Sequence, residues 1–142
     1  AWLDEPRGRV AYVIVLDQLS RNMFRDSPDM YAADRQALEA AAAGIGLGVD
    51  RALKFDERNF LYMPFMHAES AVAQRRCIEL FAQLAEEATG RGRARAQASV
   101  RYAKMHADIV ERFGRLPHRN VILDRTTTDE EEKFLLEPGS SF

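Results

Sequence analysis

Seven consecutive residues, Val10-Ala11-Tyr12-Val13-Ile14-Val15-Leu16, are apolar and rich in β-branched side chains, a pattern that also suits a buried strand. Helix is the better reading. Leu16, Leu19 and Met23 continue a helical stripe from Tyr12, and no turn signal intervenes between Pro6 and Arg25. Asp4 and Pro6 suit the cap and first turn of that helix. A helix apolar on all sides belongs at the centre of a bundle.

Ser27-Pro28-Asp29 breaks the chain, and a second, Ala-rich helix is expected over residues 34–48, with Leu38 and Ile45 facing inward and Gly48 as its stop signal. Gly44 and Gly46 weaken it by ~1 kcal/mol each relative to Ala, so close packing is the expected reason for them. A third helix starts near Asp56, and Pro64 should kink or end it. A fourth, over roughly 69–88, carries Cys77, Leu80, Phe81, Leu84 and Ala88 at core spacing. Thr89-Gly90-Arg91-Gly92 reads as a turn. A fifth, over 94–113, sets Tyr102, Met105, Ile109 and Phe113 on one stripe, and Gly114 ends it. A loop over 115–120 and a short apolar piece over 121–123 follow. Thr128 and Glu131 have the spacing of a capping box for a last helix through Leu136, with Pro138-Gly139 closing it.

Helix, short turn and helix, repeated, make antiparallel pairs, so the fold class is all-α, one domain over 1–142. No period carries tetratricopeptide signature residues, so spacing alone does not establish a regular solenoid. The 142 residues suffice to bury a core without staples. A net charge of −2 gives no sign of a nucleic-acid or membrane-surface protein. No stretch has the length of a membrane-spanning helix, and no signal-peptide order is visible. Cys77 has no partner for a disulfide, which fits a reducing cytoplasm. The first apolar helix follows Ala1 almost at once, and an N-terminal segment is expected to be missing.

Four stretches carry a family resemblance: Asp17-Gln18-Leu19-Ser20-Arg21-Asn22-Met23-Phe24-Arg25; Phe60-Leu61-Tyr62-Met63-Pro64-Phe65-Met66-His67-Ala68-Glu69; His106-Ala107-Asp108-Ile109 with Arg112-Phe113-Gly114-Arg115-Leu116-Pro117-His118-Arg119-Asn120; and Glu137-Pro138-Gly139-Ser140-Ser141-Phe142. In order and over essentially the whole chain, they resemble the bacterial family known as domain of unknown function 924. Ser20 stands where that family often has Pro. The resemblance implies a tetratricopeptide-like, right-handed array of antiparallel helical hairpins, and family members usually carry a further N-terminal helical segment. It carries over no activity.

Costly polar positions supply the candidate chemistry. Asp17, Arg21 and Arg25 are spaced i, i+4, i+8 along one helix face, with Gln18 and Asn22 beside them, directly after the apolar run. Charges there must be paired. An internal Asp17–Arg21 salt bridge is the structural reading, and an Arg-lined ligand pocket the functional one. His67 follows the third helix, His106 lies on the stripe of the fifth, and His118 sits in the loop beside Arg115 and Arg119. Each suits a satisfied or surface histidine. A sharper reading brings His67, Glu69 and His106 into one cleft for acid–base work. Their spacing is not that of a known metal motif, so no metal is assigned, and no cofactor. Asp108 and Arg112 read as a surface pair, and Arg119 and Asn120 as loop pins. No phosphate loop or nucleophile elbow is present, and Cys77 reads as core.

Three functions follow from this reading. The first is a binding module whose groove takes an anionic small molecule or peptide through Arg21, Arg25, Arg112, Arg115 and Arg119. The second is an enzyme, expected to be hydrolytic, using His67, Glu69 and His106. The third is a structural or interaction subunit, including a homo-oligomer, with the apolar helices partly buried against another chain.

Overall fold

The computed structural model describes residues 2–142, and every regular element among them is helical. The principal helices are α1 (Pro6–Ile14), α2 (Ser20–Met23), α3 (Asp34–Gly46), α4 (Phe55–His67), α5 (Ala71–Glu87), α6 (Gly90–Phe113) and α7 (Asp129–Leu135). Short 3-10 turns, including Pro28–Tyr31 and Pro117–Arg119, join them. α4 packs on α5 and α5 on α6, while α1 lies against both α3 and α4.

The main core forms where these stripes meet. Val13, Ala41, Leu61, Tyr62, Cys77, Phe81, Leu84 and Ala103 are each no more than 2% exposed. Tyr62 and Phe81 meet edge to face at 5.7 Å, an arrangement that suits ring quadrupoles. Cys77 is core, and burial pushes its thiol up to about 12. A smaller cluster of Ile109, Val110, Leu116 and Phe134 seats α7 and the preceding loop on the end of α6. The expected capping box of α7 is formed. Thr128 Oγ1 accepts from Glu131 N at 3.2 Å, and Glu131 Oε2 accepts from Thr128 N at 2.9 Å.

Several expectations need correction. The first helix is not uniform. Between α1 and α2, Val15–Leu19 is π-helical, so one extra residue is accommodated and the side chains after it are re-aimed. Nor is it central on all sides: Val10 and Val13 are buried, but Val15, Leu19 and Met23, four residues apart on one face, are 40%, 44% and 71% exposed. α4 continues through Pro64 to His67. Pro64 removes a single donor, and the flanking Leu61, Tyr62, Phe65 and Met66 are all buried, so packing holds the last turn. The turn read at 89–92 is instead the N-cap and first turn of α6. Of the short apolar piece, Val121 is 86% exposed and forms no element.

The two glycines of α3 differ. A Cβ on Gly44 would lie 2.4 Å from Arg9 Cδ, whereas one on Gly46 would meet nothing within 4 Å. Close packing therefore explains Gly44 alone. Arg9 is buried there, donating to the carbonyls of Ala40 at 2.9 Å and Leu3 at 2.7 Å. Gly48 and Gly114, which follow α3 and α6, have φ of +71°, where a Cβ is strained.

Candidate functional site

The π-helical turn carries Asp17 into the interior, where it is 1% exposed. A carboxylate there must be fully paired. Asp17 Oδ1 accepts from Arg21 at 2.9 Å, one turn on, which is the local salt bridge that the sequence spacing suggests. Asp17 Oδ1 also accepts from His67 Nδ1 at 2.6 Å, and Gln18 donates to Oδ2. Burial pushes the Asp17 carboxyl up, but the hydrogen bond and proximity of His67, with Arg21 and Gln18, outweigh it and hold the carboxyl below its ordinary range. An ionised carboxylate only accepts, so His67 carries its proton on Nδ1. Among the described residues nothing bonds to its Nε2.

Arg21 reaches past Asp17 to Asp34 in the first turn of α3, at 2.8 Å. Arg119, from the Pro117–Arg119 turn, donates to the same Asp34 Oδ2 at 3.2 Å. Arg119 also donates to the main-chain carbonyl of His67 at 2.8 Å, one of the orphan acceptors at the end of α4. Its guanidinium lies 4.4 Å from the ring centre of Tyr31, where the π face attracts a cation. Burial lowers the pKa of Arg119, and its Nε is buried without a hydrogen-bond partner.

On the opposite side stands His106, 5% exposed. Its Nδ1 donates to Tyr102 O at 2.8 Å, which leaves a lone pair on Nε2. Phe142 stacks on its ring at 3.7 Å and 21°. Burial, opposed by the Tyr102 carbonyl, brings its pKa down to about 4. Burial and the neighbouring Arg119 bring His118 to about 4 as well, and its Nδ1 is buried without a partner. Both imidazoles are therefore neutral at pH 7.

These groups enclose a pocket of about 600 Å³. Gln18, Arg21, Asn59, His67, Ser99, His106, His118, Arg119 and Ser141 supply its polar lining; Met30, Met63, Met66, Tyr31, Phe81 and Phe142 supply apolar surface. Its volume lies within the ~300–1,000 Å³ range of ligand pockets. A second pocket of about 420 Å³ shares Tyr31, His67 and Arg119 with it and adds Asp34, Glu69 and Arg125.

Other expected site residues lie elsewhere. Glu69 does not join His67 and His106 around the first pocket. Its carboxylate is clamped by both terminal nitrogens of Arg125 at 2.8 and 2.7 Å and accepts from Leu116 N at 2.8 Å, so its negative charge is already committed. Arg25 and Asn22 are exposed on α2 and the turn after it, and Asn22 returns to Gln18 O at 3.1 Å. Arg112 pairs with Glu130 at 3.0 Å on the surface, rather than with Asp108. Arg115 clamps Glu131 with bonds of 2.7 and 2.8 Å. Asn120 is fully buried and pins its loop to Glu131 at 3.2 Å, as its loop-pin reading requires. Tyr31, Asp34, Tyr102 and Phe142 were not anticipated, nor was the pairing of Asp17 with His67. Among the described residues, no group of three or more His, Cys, Asp or Glu side chains has the arrangement to hold a metal ion. None of the described helices is long and apolar enough to cross a membrane.

Comparison with known proteins gives two matches. The model of a family of bacterial proteins of unknown function (DUF924) matches residues 1–139. A solved structure of a protein of unknown function from Agrobacterium tumefaciens is similar at 42% identity and a TM-score of 0.82, over 95% of this chain and 70% of that one. No curated protein matches.

Proposed function

The chain belongs to the DUF924 family of bacterial proteins, and from its pocket we propose that it binds a small molecule with an apolar body and a single anionic head. One observation carries this reading: Arg21, His67, His118 and Arg119 line one cavity together with the apolar side chains of Met30, Met63, Met66, Phe81 and Phe142. Arg21 is the main anchor: its side chain lines the cavity while still partly exposed, and a planar guanidinium matches a carboxylate. Asp17 and Asp34 already offset the charges of Arg21 and Arg119, so an anionic head would be held by directed hydrogen bonds rather than by net charge, and a doubly charged ligand is disfavoured. The apolar walls favour a compact acid over an extended peptide.

The reading takes the helices as a tetratricopeptide-like, right-handed array of antiparallel hairpins, supported by the sequential packing of α4 on α5 and α5 on α6. It takes the location as cytoplasmic, supported by the buried, unpaired Cys77.

Benzoate and its neutral isostere benzamide test the proposal, with binding followed by NMR titration. Benzoate should bind at least ~10-fold more tightly, the equivalent of one charge-assisted hydrogen bond. Arg21→Ala should remove that preference. Equal affinities, or shifts confined to the outer surface, would rule the anionic head out.

A further inference from the structure

His67 and Asp17 make the pocket more than a binding site. Asp17 is buried, ionised and bonded to His67 Nδ1 at 2.6 Å. That bond places a proton on Nδ1 and fixes the ring orientation, so in the neutral imidazole the lone pair lies on Nε2 of a residue that lines the cavity. A buried carboxylate behind an imidazole also stabilises the imidazolium that forms on proton uptake. The orienting carboxylate is itself held by Arg21 and Gln18, so the base has a rigid support. Arg119 holds the main-chain carbonyl of His67 at 2.8 Å and lines the same cavity, so a guanidinium shares the site with the base.

Building on the pocket reading, we propose that this site hydrolyses small carboxylic esters, with His67 as general base and Asp17 as its positioning residue. His67 Nε2 removes a proton from water as the water oxygen bonds to the ester carbonyl carbon. The carbonyl π pair moves onto its oxygen. When that pair returns, the bond from carbon to the alcohol oxygen breaks, and the leaving alkoxide takes the proton held on Nε2. Ester and water become acid and alcohol.

The charge pattern suits this reaction. Two aspartates offset two arginines in the resting site, so an uncharged ester enters without an unbalanced charge. The imidazolium and the oxyanion then form together, as a pair, beside Arg119. A guanidinium charge already placed in the same cavity favours the oxyanion without reorganisation. The carboxylate product is the type of anion proposed above as ligand.

The substrate probe is 4-nitrophenyl butyrate, with nitrophenolate release followed for the wild-type chain, His67→Gln and Asp17→Asn. Wild-type turnover should exceed that of His67→Gln by at least ~100-fold, within the usual range for a positioned base. Asp17→Asn should lower kcat by at least ~10-fold with little change in KM. Imidazole 15N NMR of the wild type should place the His67 proton on Nδ1, a readout that needs no variant to fold. Turnover equal in wild type and His67→Gln, no turnover in wild type, or a proton on Nε2 would each overturn the proposal. Benzoate separates the two readings: if it binds the pocket but the ester is not turned over, only the catalytic proposal falls. If benzoate does not bind and the ester is not turned over, both fall.

Discussion

Arg119 donates to the main-chain carbonyl of His67, 52 residues earlier in the chain, at 2.8 Å. This bond ties the Pro117–Arg119 turn to the end of α4 and so fixes the distance between His67 and His118. The same guanidinium pairs with Asp34 and covers Tyr31. Replacing it with methionine keeps the length but leaves Asp34 with one partner fewer and the His67 carbonyl buried without a donor. Arg119→Met should cost about 3 kcal/mol, the range for breaking a buried pair. A urea or guanidinium titration would show this as a lower midpoint with an unchanged slope.

Phe142 controls the far wall. Its ring covers His106 at 3.7 Å, and burial is the leading reason that His106 is held at about 4. Phe142→Ala opens that face to water. The His106 pKa should rise from about 4 towards the ordinary histidine value near 6.5, and an NMR pH titration of the imidazole resonances would follow it.

Buried His106 and half-buried His118 also give the fold an acid limit. His106 and His118 both have pKa values near 4 in the native state against 6.5 for the free side chain. Above pH 6.5 neither the folded nor the unfolded chain protonates them, and they cost nothing. Below it the unfolded chain takes up protons that the folded chain refuses, so stability falls between pH 6.5 and 4. His106 alone accounts for roughly 3 kcal/mol over that window. Asp17, Glu69 and Glu131, all held below their ordinary range, add a second loss at lower pH as they are forced to protonate. Thermal melts across pH 4 to 8 should show Tm declining throughout the lower half of the range. A flat Tm from 6.5 to 4 would mean that the histidines are solvated.

Gly44 and Gly46 offer a paired test of packing. Gly44→Ala drives a methyl into Arg9, which is pinned at both ends by carbonyls and cannot swing away cheaply, so a loss of about 1–3 kcal/mol is expected. Gly46→Ala meets no atom and removes backbone freedom from the unfolded chain, for a gain of roughly 0.5–1 kcal/mol. Denaturation midpoints should move in opposite directions.

Local periodicity carried most of the fold. The stripe of Cys77, Leu80, Phe81 and Leu84 lies in the core, and Thr128 and Glu131 cap α7, because both patterns involve residues within a few positions of each other. The Asp17–Arg21 bridge was visible for the same reason, as an i, i+4 pair. What spacing could not show is which distant groups meet. Asp17 and His67 are 50 residues apart, and the inserted residue of the π turn re-aims the acid in a way no heptad count reveals. Asp34 stands in the first turn of α3, where any acid is favourable towards the dipole, and nothing near it in sequence marks it as the carboxylate that two arginines share. Glu69 stood two positions after His67 and was read as its neighbour. Its real partner, Arg125, lies in a segment with no periodicity at all. Placing three histidines on three different elements was within reach of the sequence, but their common pocket required the packing of α4, α6 and the 115–120 loop.

The most direct measurement is the imidazole 15N spectrum of His67 in the native chain, recorded at neutral pH with and without benzoate. A proton on Nδ1, an unprotonated Nε2, and a shift of that Nε2 on adding benzoate are the expected results. A proton on Nε2, or resonances indifferent to both benzoate and Asp17→Asn, would show that Asp17 does not orient His67 towards the cavity.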